Sequence, residues 1–147
     1  MKKKILFVCH GNICRSPMAE FIMKKLVKDA GKENLFEIES AATSIEEIGN
    51  DMYPPAKQCL QRHSIPFTHR QARQITKADY NYYNQIFVMD NNNLRWLNAL
   101  GIKDVDHKIK LLMTLTGENR DVADPWYTHD FERTYNDLIT ALPTILE

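Results

Sequence analysis

Several things that would set a protein's class are scarce or missing in this sequence. There is no surplus of charge: nineteen Lys and Arg balance nineteen Asp and Glu, so no overall field gathers polyanions or holds the chain to an anionic surface. Neither nucleic acid nor a membrane is expected as a partner. Cysteine is sparse. Three residues, with neither CxxC nor Cys/His zinc spacing, support neither a disulfide framework nor a structural metal. At least one thiol is therefore free, and its reactivity becomes the question. No apolar stretch approaches the roughly 20 residues of a membrane span. Met1-Lys2-Lys3-Lys4 has the charge of a signal-peptide start, but Ile5 to Val8 is too short for the apolar region that should follow. A cytoplasmic location is the expectation, with export lacking a classical signal as the alternative. Repeats, low-complexity tracts and the GxxxxGK[ST] nucleotide loop are also missing.

What is present suits one domain. The chain has 147 residues, 44% hydrophobic and 26% charged, enough to bury one continuous core. A single domain over 1–147, monomeric, is expected. Four short apolar runs read as strands buried on both faces: Ile5–Val8, Phe36–Ile38, Gln85–Met89 and, more weakly, Val105–Ile109. Helical periodicity separates them, in Met18, Ile22 and Leu26, in Ala56, Cys59 and Leu60, and in Leu94, Leu97 and Leu100 before Gly101. Pro54-Pro55 fits a helix start, and Phe131, Tyr135, Leu138, Ile139 and Leu142 form a closing amphipathic helix ended by Pro143. The alternation predicts a doubly wound α/β domain, a four-stranded parallel sheet with helices on both faces.

In such a sheet ligands bind beyond the carboxyl ends of the strands, and Cys9 follows the first strand directly. Downstream, Ser16 is a natural N-cap and Pro17 suits the first helical position. The unpaired N–H groups and positive dipole end of that helix favour an anion. Arg15, six residues beyond Cys9, can hold two oxygens of a tetrahedral oxyanion in a bidentate fork. Gly11 and Asn12 accept the left-handed backbone that turns successive amides inward as a nest. The field that holds a dianion also favours the thiolate of Cys9. A small buried hydrophobe is the plainer role for a cysteine, but it explains neither Arg15 nor the strand-to-helix setting.

Cys9-His10-Gly11-Asn12-Ile13-Cys14-Arg15-Ser16 resembles the Cys-x5-Arg-Ser loop of the low-molecular-weight protein tyrosine phosphatases. The similarity runs nearly the full chain, through Ser40-Ala41-Ala42-Thr43-Ser44, Ala72-Arg73-Gln74-Ile75, Met89-Asp90 and Asp124-Pro125-Trp126-Tyr127. The resemblance implies phosphotyrosine proteins as substrates, inorganic phosphate as product, and no cofactor or metal. It makes Cys9 the nucleophile of a cysteinyl-phosphate, Arg15 the clamp and Asp124 the general acid and then base. Ser16 would assist the departing sulfur, and Asn12 and Ser40 would brace the loop. Cys14 would form a reversible disulfide with the nucleophile. Read alone, Asp124-Pro125 is a turn start, and Trp126 and Tyr127 are core aromatics or the wall of a phenyl-binding slot. Cys59 reads as core, and His63 and His107 as surface or structural.

The chain departs from the family pattern in three places. Some members carry a Trp in the segment after the second strand, where Ser44 to Gly49 has no aromatic, so Glu46 and Glu47 would make one wall acidic and favour basic or neutral peptides. Arg70 stands where the family often has a His, with His69 one residue earlier, and the reach of His69 to Asn12 is open. His10, after the nucleophile, holds a variable position and is expected to point outward in a modest role. The alternatives are a protein-arginine phosphatase, whose branch carries Thr at the position of Ile13, a thiol-dependent arsenate reductase, for which Cys59 alone is too few further thiols, and a silent phosphate-binding module.

Overall fold

The structure, a computed structural model, describes residues 2–147. Four parallel strands, β1 (Lys3–Cys9), β2 (Phe36–Ala42), β3 (Gln85–Val88) and β4 (Ile109–Leu111), form one sheet in the order β2-β1-β3-β4. Six α-helices accompany them: α1 (Arg15–Asp29), α2 (Pro54–Arg62), α3 (Lys77–Tyr82), α4 (Asn91–Ala99), α5 (Pro125–Thr128) and α6 (Phe131–Ala141). The doubly wound α/β expectation holds. Among the described residues no helix is long and apolar enough to cross a membrane.

The pleat of β1 explains why its run has no polar alternation. Ile5, Phe7 and Cys9 face a core with residues of α1, α2 and α6, whereas Leu6 and Val8 face a second core with Tyr80, Leu97 and Ile102. With helices on both faces, every position from Ile5 to Val8 is sealed from water.

The strand expectations need two corrections. β2 is an edge strand and is not buried on both faces, since Glu39 is exposed between buried Ile38 and Ser40. β4 begins at Ile109, where Val105–Ile109 was the expected run. Asp104 is the cause: its carboxylate accepts from the backbone of Lys108 at 2.7 Å and Ile109 at 3.2 Å, closing a turn that passes through His107 at φ 54 and leaves Val105 exposed. α2 does open on Pro54-Pro55, and α6 gives way to a 3-10 turn at Leu142, just before Pro143. α3 has no strong apolar period and is set by a reciprocal cap between Thr76 and Asp79.

β1 lies between β2 and β3, so the chain leaves it in one direction to β2 and later returns past it to β3. The carboxyl end of β1 is thus the point where the winding reverses. Cys9 is its last residue.

Candidate active site

The segment from Cys9 to Arg15 is held from outside by its carbonyls. The carbonyl of Cys9 accepts from Thr43 N–H at 2.9 Å, that of His10 from Ser44 N–H at 3.0 Å and that of Ile13 from Tyr53 N–H at 2.8 Å. Arg70 Nη2 donates to the carbonyl of Asn12 at 2.6 Å. Because trans peptides set each carbonyl opposite the following N–H, outward carbonyls leave inward amides. The N–H groups of Gly11, Ile13 and Cys14 have no protein acceptor among the described residues. That concavity is an anion nest continued by the start of α1.

Asn12 is the residue that makes the turn, at φ 59 in the left-handed region. Gly11 does not share that conformation, against expectation; a Cβ there would meet Glu47 Cγ at 3.4 Å, so its value is room beside the neighbouring loop. Asn12 is fully buried, and its amide group is used at both ends. Nδ2 donates to Ser16 Oγ at 2.8 Å and to Ser40 Oγ at 2.9 Å, while Oδ1 accepts from Arg70 Nη2 at 2.5 Å and Arg73 N–H at 3.3 Å.

Two polar groups bear on the sulfur: Asn12 N–H donates to Cys9 Sγ at 3.3 Å, and Ser16 Oγ lies 3.0 Å from it. This overturns the reading of Ser16 as helix cap. α1 starts at Arg15, two residues before the expected first helical position at Pro17, with no side-chain cap, and the Ser16 hydroxyl is turned to the sulfur and to Asn12.

Arg15 is nearly sealed, 2% exposed along its side chain. Nη1 donates to Asp90 Oδ2 at 2.7 Å and to the carbonyl of Val122 at 2.9 Å, and Nη2 lies 3.4 Å from Asp124 Oδ2. Burial opposes the charge, but Cys9, Asp124 and Asp90 outweigh it and hold the guanidinium above its ordinary range. Asp124 sits at the start of α5 and caps it, accepting from Trp126 N–H at 3.0 Å. Turn start and functional group are one residue here, since Oδ1 serves the cap and Oδ2 faces Arg15. Burial, with Cys9 and Asp124 adding to it, pushes the Cys14 thiol far up, so it stays protonated at neutral pH.

These groups open on a cavity of about 150 Å³ lined by Cys9, His10, Gly11, Ile13, Cys14, Arg15, Glu46, Glu47, Asp124, Trp126 and Tyr127. Trp126 packs on Tyr53 at 4.9 Å between centroids, and Tyr127 is largely exposed. They stand at the cavity and outside the main core. Asn12, Ser16 and Ser40 lie behind the loop and support it. A larger groove, about 390 Å³, lies over Phe21, Phe36 and Phe67; no cysteine lines it, so size does not select the site.

The family model for low molecular weight phosphotyrosine protein phosphatases matches residues 4–147. The chain belongs to that family. It is 41% identical to the human low molecular weight phosphotyrosine protein phosphatase over 99% of this chain and 94% of that protein. Among solved structures, YfkJ from Bacillus subtilis superposes with a TM-score of 0.94 at 33% identity, covering 99% and 93% of the two chains. DARP, the Drosophila arginine phosphatase, superposes at 0.87 with 29% identity, over 99% and 96%.

Some functional neighbours escape sequence inspection. Arg70 replaces the family His as the brace of Asn12, while His69, with a side chain 76% exposed, contacts Asp51 Oδ2 at 3.1 Å. Ser40 Oγ donates to Glu20 Oε1 at 2.6 Å, and Lys24 Nζ donates to Glu20 Oε2 at 2.5 Å, extending the loop's support into α1. Asp90 orients Arg15; its place just after β3 was the available signal. His10 is no free outward ring: Nε2 lies 3.0 Å from Glu46 Oε2, and the ring meets Trp96 edge-on at 5.8 Å.

Proposed function

We propose that the protein is a protein tyrosine phosphatase working through a cysteinyl-phosphate, in the cytoplasm, as a monomeric single domain over 1–147 needing no cofactor for this reaction. The observation that carries the reading is the convergence of a sulfur, a guanidinium and a carboxylate on one cavity, with inward amides between the first two.

The chemistry follows from those three groups. The loop amides and Arg15 bind the phosphoryl oxygens, where they match the charge of the transition state. The Cys9 thiolate attacks phosphorus as the bond to the phenolic oxygen breaks, and Asp124 gives its proton to that oxygen. The resulting carboxylate takes a proton from water, which attacks the phosphorus and returns Cys9 as thiolate and phosphate as product. Ser16 stabilises the sulfur in both steps. Asn12, held by Ser40 and Arg70, keeps the left-handed turn in place. Cys14, a protonated neighbour in the loop, is the candidate partner for a protective disulfide after Cys9 is oxidised.

Phosphotyrosine suits the rest of the cavity. Trp126 and Tyr127 offer faces for a phenyl ring, and Glu46 and Glu47 offer negative charge to basic residues flanking it. Ile13, also at the cavity, brings no hydroxyl to a phosphoramidate. Comparing kcat/KM on matched phosphotyrosine and phosphoarginine peptides tests the choice, and a preference for phosphoarginine defeats it. Cys9→Ser should abolish hydrolysis of p-nitrophenyl phosphate while phosphate still binds. Residual turnover at the wild-type rate would remove Cys9 from its role.

A further inference from the structure

Away from that cavity, the end of α2 meets the start of α6. Cys59 and His63 stand four residues apart, one helical turn, and so share a side. Glu132 faces them from the first turn of α6. The Cys59 sulfur, a ring nitrogen of His63 and a carboxylate oxygen of Glu132 all lie within 4.8 Å of one another. His63 Nε2 is 2.5 Å from Glu132 Oε2, and Cys59 Sγ is 3.7 Å from Oε1. None of the three has a part in the phosphatase chemistry.

We propose that Cys59, His63 and Glu132 form a binding site for a divalent cation of the zinc class. A thiolate, an imidazole and a carboxylate are a donor set for a borderline-soft ion, and three protein ligands leave a fourth position for water. Bonds of about 2.0–2.3 Å place tetrahedral ligands about 3.5 Å apart. The three donor atoms already lie within 4.8 Å of one another, and the shorter His63–Glu132 contact opens as the ion enters between them. The imidazole ligates in its neutral form through Nε2, and any proton on that nitrogen passes to solvent together with the thiol proton as the sulfur turns from the Phe131 carbonyl, 3.5 Å away, to the metal.

The surroundings hold the ligands in place. His63 stacks on Tyr135 at 3.6 Å with an interplanar angle of 7°, which fixes its ring. Arg62 Nε donates to Glu132 Oε1 at 2.8 Å and leaves Oε2 available, the role of an outer hydrogen bond on a ligating carboxylate. Cys59 is sealed, but the side chains of His63 and Glu132 are 30% and 43% exposed and give an ion its entry.

The test is cobalt titration of the full chain carrying Cys9→Ser and Cys14→Ser, which removes the competing loop thiols. The site should take up one cobalt with a thiolate-to-metal charge-transfer band that zinc displaces, and zinc should raise Tm. Adding Cys59→Ser should abolish the band. His63→Asn and Glu132→Gln should each keep some band but lower affinity at least about tenfold, and they decide the matter if Cys59→Ser does not fold. Absence of the band at saturating cobalt, or a band unchanged by His63→Asn and Glu132→Gln, overturns the proposal.

Discussion

Arg70→Met removes one guanidinium from the loop while keeping most of the side chain's apolar stem. In the structure that guanidinium satisfies both the carbonyl and Oδ1 of Asn12, at 2.6 and 2.5 Å. Asn12 is fully buried and held at φ 59, so water cannot simply take both places. A lost hydrogen bond to a charged donor costs about 1.5–3 kcal/mol. Arg73 N–H still serves Oδ1, at 3.3 Å, and Arg70 is only partly buried; we therefore expect a loss of about 2–3 kcal/mol. At this chain length that lowers Tm by about 5–10 °C. If half or more of the loss falls on the anion-binding geometry, kcat/KM drops about 10- to 100-fold. Arg70→Lys, a point charge that cannot fork, should fall between. His69→Ala is the control, because the ring's one hydrogen-bond partner among the described residues is Asp51, and it should stay within about 0.5 kcal/mol of the parent. Urea denaturation and hydrolysis of p-nitrophenyl phosphate measure both quantities. A harmless Arg70→Met beside a damaging His69→Ala would refute the assignment.

Three further outcomes follow from the same geometry. Asp124→Asn should lower kcat about 10²- to 10⁴-fold on phenyl phosphate, whose leaving group needs the proton, and much less on substrates with acidic phenols; equal losses across a leaving-group series would exclude it as the acid. His10→Leu frees Glu46 from its 3.0 Å contact and should change KM for peptides with flanking basic residues several-fold, with kcat little altered; a large fall in kcat would instead place His10 in the chemistry. Asp51 is held down to about 2 against the opposing effect of burial, chiefly by Lys57 and the N–H groups of Met52 and Arg70. A depressed carboxylate stabilises the fold above its unfolded value of about 3.9. That contribution should therefore disappear as pH falls from about 4 through about 2, and acid unfolding of Asp51→Asn should lack this component.

How much of the site was readable depends on the sequence distance over which each part is assembled. Cys9, Arg15 and Ser16 lie in one strand-loop-helix segment, so their types and spacing carried the chemistry without a partner. Even there, the cap expected at Ser16 does not form: a hydroxyl at the start of a helix has two competing uses, and only the position of the sulfur shows which one wins. Asp124 was legible through the family resemblance and not through its own dipeptide, since it does cap a helix as an ordinary Asp-Pro start would. Arg70 against His69 is a choice between adjacent residues that composition cannot make. Which of them reaches Asn12 depends on the path of the segment around Asp51, whose carboxylate holds His69 and the backbone of Arg70.

By itself, the sequence determined the class of the sheet and the place of the nucleophile, because burial on two faces and the start of a helix are written in neighbouring residues. The tertiary structure decided which distant groups complete that loop, and it alone joined Glu132 to Cys59 and His63 across 69 residues from His63. Those contacts arise from helix packing, and packing depends on the shapes of whole elements meeting in space, which no local pattern of residue types contains.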